Sequence, residues 1–177
     1  DTTLQSVIAA VESEYANTED LDHQFSSAFK RLRQLLPNVA IPRVYAQISA
    51  LDQSIVVGNG TIGISLDKYL GPNYPLYAKF YSPTQRKQMS REYILPDCMT
   101  FYLMSVYPLQ HFESRPQVER DLQIGKIQWL VNQVMSKRIY HSRYEEAVDE
   151  YMKKNPKISY EELLRMTDFS KFNTTGY

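Results

Sequence analysis

Cysteine is almost missing from this chain: Cys98 stands alone, so no internal disulfide can staple the fold and no thiolate zinc site can form. No stretch approaches the length of an apolar membrane span. Net charge is absent as well. Lys+Arg and Asp+Glu both number 20, which removes the broad positive field of a nucleic-acid binder. The motifs HExxH, GxSxG, GxxxxGK and GxGxxG do not occur, and with them go the usual warrants for zinc proteases, serine hydrolases and nucleotide binding. His23, His111 and His141 are not paired at a ligand spacing and read as surface residues. Cys98 reads as buried and inert, since a thiol nucleophile needs a histidine beside it. The chain starts at Asp1 without a charged-then-apolar leader, as expected if a leader is removed or the piece is trimmed. These absences describe a non-enzymatic, mostly helical domain without cofactor or metal.

What is present is a 177-residue chain with 43% hydrophobic and 23% charged residues, enough for one domain with a real core. Tyrosine is over-used, with 14 against 7 Phe and 1 Trp. An amphipathic ring suits helix seams with its hydroxyl reaching water; a Tyr-lined groove for a peptide or glycan is the alternative.

Periodicity predicts an N-terminal helical hairpin over 4–36. Leu4, Val7, Ile8, Val11 and Tyr15 form one stripe, and Leu21, Phe25, Ala28, Phe29, Leu32 and Leu36 a second that Pro37 stops. Lys30, Arg31 and Arg33 flank Leu32 as a solvated face. A small antiparallel β-meander is expected over 43–66: Val44, Ala46 and Ile48 on a buried face, then 54–57 and 61–66 around the tight turn Gly58-Asn59-Gly60. An ordered loop follows over 67–89. C-terminal helices are expected over 91–168: one from about Arg91 to Val106 with Pro96 in its first turn, and one from Pro116 to about Lys137. Two more open at Ser142/Glu145 and Ser159/Glu162 capping boxes. Glu145, Glu146, Asp149 and Glu150 read as an acidic solvated face, and the tail from Phe172 to Tyr177 as frayed. The fold class is therefore α+β and predominantly helical.

The densest chemistry lies after the third strand. Asp67 is placed to brace the turn, Gly71 to take a left-handed conformation, and Tyr74 and Tyr77 to pack over it. By residue physics this is a rigid structural loop, with a binding loop as the alternative. The run Gly63-Ile64-Ser65-Leu66-Asp67-Lys68-Tyr69-Leu70-Gly71-Pro72-Asn73-Tyr74, with Tyr77, resembles the signature G-I-D-x-D-x-Y-L-G-x-D-Y-x-x-Y of the gliding motility lipoprotein GldB and its relatives. Tyr93-Ile94-Leu95-Pro96-Asp97 is similar to that family's Y-x-x-P-E helix start, and Gly125-Lys126 to its G-K pair. Pro42-Arg43-Val44-Tyr45 and Ser49 resemble its first strand. Ser65 and Asn73 depart from acidic positions of the signature.

The resemblance implies a lipid-anchored protein of the bacterial cell envelope, on its periplasmic or outer-membrane face, with the signal peptide and lipidated cysteine outside this sequence. Its partners would be other envelope proteins, with no nucleic acid and no membrane contact beyond the anchor. It also implies a degenerate zincin-like fold. In that alignment Asp97 and Phe101 occupy the HExxH positions and Ile124 the place of a glutamate ligand. The expected role is interaction or scaffolding. A divergent zincin-like metallohydrolase, and a Tyr-lined peptide- or glycan-binding module built on Asp67, Tyr69, Leu70, Gly71, Tyr74 and Tyr77, are the alternatives.

Overall fold

A computed structural model describes residues 2–175; Asp1, Gly176 and Tyr177 lie outside the described residues. The order of elements is α1 (Thr2–Glu14), α2 (Glu19–Leu35), β1 (Arg43–Gln47), β2 (Ile55–Gly58), β3 (Thr61–Ser65), α3 (Pro83–Arg86), α4 (Ile94–Val106), α5 (Gln117–Met135), α6 (Arg143–Lys154) and α7 (Tyr160–Arg165). The fold is α+β and predominantly helical. No described helix is long and apolar enough to cross a membrane. The chain forms two compact units: Asp1–Phe29 with Ala40–Phe101, and Lys30–Val39 with Tyr102–Tyr177. Helices α2 and α4 each begin in the first and end in the second.

In the first unit the three strands run in the directions of a meander, but their order is β1-β3-β2, so the expected antiparallel meander is a mixed sheet instead. β1 pairs parallel with β3, Tyr45 opposite Gly63, and β2 pairs antiparallel with β3, Val57 opposite Ile62. The reason lies in β3. Its Ile62 and Ile64 are buried, and the most deeply buried strand takes the centre, where both its edges are paired. β1 is thereby left at an edge. Val44 is only half-buried, Ala46 is exposed and Ile48 is 38% exposed, so the buried face expected of them does not form. The turn after β2 forms as read, with Gly60 at φ 72°.

Both N-terminal helices form; Val7 and Val11 of α1 and Tyr15 just beyond it are buried as their stripe requires, whereas Leu4 of the same stripe is 41% exposed and Ile8 half-buried. The principal neighbour of α1, however, is the 3-10 turn Leu66–Lys68 rather than α2, because Tyr15 reaches the backbone of Tyr69. The expected helical hairpin is to that extent replaced by a helix docked on the loop. Within 67–89 the loop contains a 3-10 turn over Pro75–Lys79 and the short α3, which opens on a complete Ser82/Gln85 capping box.

In the second unit α5 packs against α6 and α7. Ser142 and Ser159 cap α6 and α7 by accepting from the Glu145 and Glu162 amides, both at 3.1 Å. Glu145 does not complete a box, and it is not part of a solvated face: it is 2% exposed and faces Asn132 and Arg138. Phe172, read as the start of a frayed tail, is buried and stacks edge-on against Tyr151 at 4.9 Å. Aromatic burial fixes what composition left undecided there.

Candidate functional site

The signature loop assembles around one carboxylate. Asp67 is fully buried, and its two oxygens accept from the Ser49 amide at 3.0 Å and the Leu51 amide at 2.6 Å. Between and at those amides, Ala50 and Leu51 both hold left-handed backbone conformations, φ 55° and 66°. Such positions are costly for residues with a Cβ, and charge-assisted bonds from Asp67 offset that cost. Asp67 therefore braces the β1–β2 connection.

Tyr77, also fully buried, bonds the other side of the same turn. Its hydroxyl donates to the Asp67 carbonyl and accepts from the Leu70 amide at 3.1 Å. Burial pushes its phenol above the usual range. Tyr74 and Tyr81 meet the Tyr77 ring edge-on at 5.1 and 5.7 Å. Gly71 sits at φ 104°, which favours glycine, and its amide donates to Met89 at 2.8 Å, closing the loop. Leu70, half-buried, contributes its backbone amide to Tyr77.

Tyr69 joins this loop to α4. Its hydroxyl donates to Asp97 Oδ2 at 2.6 Å, and its carbonyl accepts from the Tyr15 hydroxyl. Burial raises the Asp97 pKa to about 6, opposed by the hydrogen bond from Tyr69. Burial, reinforced by the Asp97 carboxylate, pushes the Tyr69 phenol well up. Cys98 next to it is fully buried, and burial followed by the Asp97 charge drives its thiol up, away from the reactive thiolate. Asp97 and Phe101 lie one turn apart on α4, but Asp97 is bonded to Tyr69 while Phe101 is 46% exposed. Among the described residues no group of three or more His, Cys, Asp or Glu side chains is gathered as a metal would require.

Within the first unit an open groove of about 390 Å³ runs between α2 and the sheet, walled by Leu21, Phe25, Phe29, Val44 and Ala46 over Ile64. None of the six signature residues singled out from sequence lines it.

In the second unit the Gly125-Lys126 pair has a structural reading that the sequence did not supply. A Cβ at Gly125 would stand 2.9 Å from the Tyr144 backbone carbon, so glycine lets α6 approach α5 closely. Lys126 is fully buried; its Nζ donates to the Met166 carbonyl at 2.7 Å and the Leu164 carbonyl at 3.3 Å, 5.0 Å from the Phe169 ring centre. The ammonium thus serves the carbonyl end of α7. Burial, with Arg115 nearby, lowers its pKa to about 7. One signal was available: Leu122, Lys126 and Leu130 fall on one stripe of α5. Asn132 was missed outright. Its amide accepts from Ile139 at 2.9 Å and Tyr140 at 3.0 Å, and donates to Tyr140 and Glu145, locking the α5–α6 connection. Ile124 is half-buried and lines a small cavity of this unit.

Residues 1–141 match the family model described as gliding motility protein GldB. No curated protein and no solved structure matches the chain.

Proposed function

The chain belongs to the gliding motility protein GldB family, a family of gliding-motility-related envelope lipoproteins, and from that premise we propose that it is a non-enzymatic interaction or scaffolding domain held at the bacterial envelope by a lipid anchor. Its partners are other envelope proteins. Cys98 is buried in α4 and is therefore not the anchor this reading invokes.

The observation that carries this reading is where the signature's polar groups go. The Asp67 carboxylate, the Tyr77 hydroxyl with its Asp67 and Leu70 partners, and the Tyr69–Asp97 pair all bond within the fold. A reacting group must meet a substrate; these meet backbone amides, a carbonyl and each other. The same burial weighs against a binding module built on Tyr69 and Tyr77, which are 2% and 0% exposed.

The test pairs stability with function in cells that produce the full-length protein. Tyr69→Phe removes the Asp97 bond and keeps the ring. Melting temperature, protein abundance and colony spreading should fall together, by an amount matching about 1–2 kcal/mol. Spreading abolished in a variant of unchanged stability and abundance would favour the metallohydrolase reading, as would stoichiometric zinc in the purified protein by elemental analysis.

A further inference from the structure

Strand β1 leaves one edge of the first unit's sheet open, since it pairs only with β3. Its backbone groups divide by parity. The Arg43 amide donates to the Gly60 carbonyl at 2.9 Å, so Arg43, Tyr45 and Gln47 turn their N–H and C=O groups toward β3. Those of Val44 and Ala46 point the other way, to an edge that no described strand covers. Edge strands are ordinarily guarded by charge, proline or a covering element. β1 carries Arg43 as its single charge, and Tyr45, Ala46 and the flanking Ile41 and Ile48 are exposed. The groove of about 390 Å³ between α2 and the sheet opens along this same strand. Val44 and Ala46 stand in register with Ile62 and Ile64 and share the groove's face with them. A strand laid beside β1 therefore places every second side chain over the groove.

Two features narrow the occupant. A second copy, related by a two-fold axis, brings only its own Val44 and Ala46 to that face, and such small side chains do not fill a groove of ligand-pocket size. The groove's one charged wall is Asp22, which is exposed and holds no ion pair among the described residues. We propose that the open edge of β1 receives an extended segment of a partner protein as a fourth strand, with a large apolar side chain of that segment seated against Phe25 and Phe29 and a Lys or Arg beside Asp22. Main-chain bonds to Val44 and Ala46 supply affinity and the groove selects the side chain, the division of labour in strand addition. This surface deepens the interaction role proposed above and rests on that reading.

The probe is a displayed library of short random peptides selected on the whole chain. Enriched peptides should carry a large apolar residue with a Lys or Arg two positions away, on the same face of an extended strand. The tightest of them, synthesised, should slow hydrogen exchange at the Val44 and Ala46 amides, which an occupant of the groove alone would leave untouched. Ala46→Pro removes one outward donor at a position where an edge strand accepts proline, and should weaken binding about tenfold. Asp22→Lys, on an exposed turn of α2, should weaken it about fivefold. No enrichment, enriched peptides without a cation, or unprotected Val44 and Ala46 amides in the complex would overturn the proposal. The exchange measurement on the wild-type chain decides it even if Ala46→Pro folds poorly. A wild-type chain that sediments as a dimer, and as a monomer once Ala46→Pro is made, assigns the edge to a second copy and overturns the partner. Peptide recovered cleaved overturns the non-enzymatic reading; peptide recovered intact and unbound overturns this surface alone.

Discussion

The two units solve one problem, a buried polar group, in opposite ways. In the first, Asp67 and Tyr77 bond to backbone in their own neighbourhood, at most 18 residues away along the chain. In the second, Lys126 reaches carbonyls 38 and 40 residues on. The first arrangement fixes a loop whose conformation needs it; the second fastens a distant helix end to a core that would pack without it. Loss of the first kind leaves strained backbone and orphaned amides, whereas loss of the second removes a group that was costly to bury.

The sharpest break of that comparison is Asp67→Ala. Two amides lose their acceptor beside two left-handed residues, so the variant should lose about 3–4 kcal/mol in urea denaturation. A loss below about 1 kcal/mol would mean the connection relaxes without its brace. Next comes Lys126→Met, compared with wild type across pH. The folded pKa of about 7 lies below the unfolded value of 10.5, so between them the unfolded chain holds a proton the folded chain has shed. Wild-type stability should therefore rise with pH through that window, by about 2 kcal/mol from pH 7 to 9, relative to the variant. The benefit is lost as pH falls through 7, and there the variant should equal or exceed wild type. A difference that is flat with pH would rule out a neutral amine. Smallest is Gly71→Ala. No atom obstructs the new Cβ, and the cost is the positive φ alone, about 1 kcal/mol by thermal melting.

The same contrast explains what could be read in advance. Gly71 as a left-handed position was legible because turn chemistry is local. So were the Gly58-Asn59-Gly60 turn and the serine caps of α6 and α7. Asp67 reads in sequence as the brace of its own turn, and it braces the β1–β2 connection instead, through amides 16 and 18 residues back. The central place of β3 was not, since alternation identifies a strand's faces and says nothing of its neighbours. Glu145 fitted a capping pattern and turned inward to Asn132, a partner 13 residues back that no spacing rule names. Tyr69 and Asp97 stood in two separate resemblances, and only the fold joined them.

Arg91 has a temporal consequence. Its guanidinium bonds Asp20 at 2.6 Å and the carbonyls of Glu14 and Asn17, and it lies over the Tyr15 ring. The α1–α2 joint is thus fastened by a residue made 71 positions after Asp20. At about 5–20 residues per second, the ribosome delivers that clasp roughly 4–14 s after the joint itself. Until Leu66–Lys68 and Tyr69 emerge, part-way through that interval, the nascent α1 lacks its principal neighbour, which makes this stretch the natural client of whatever holds the emerging chain.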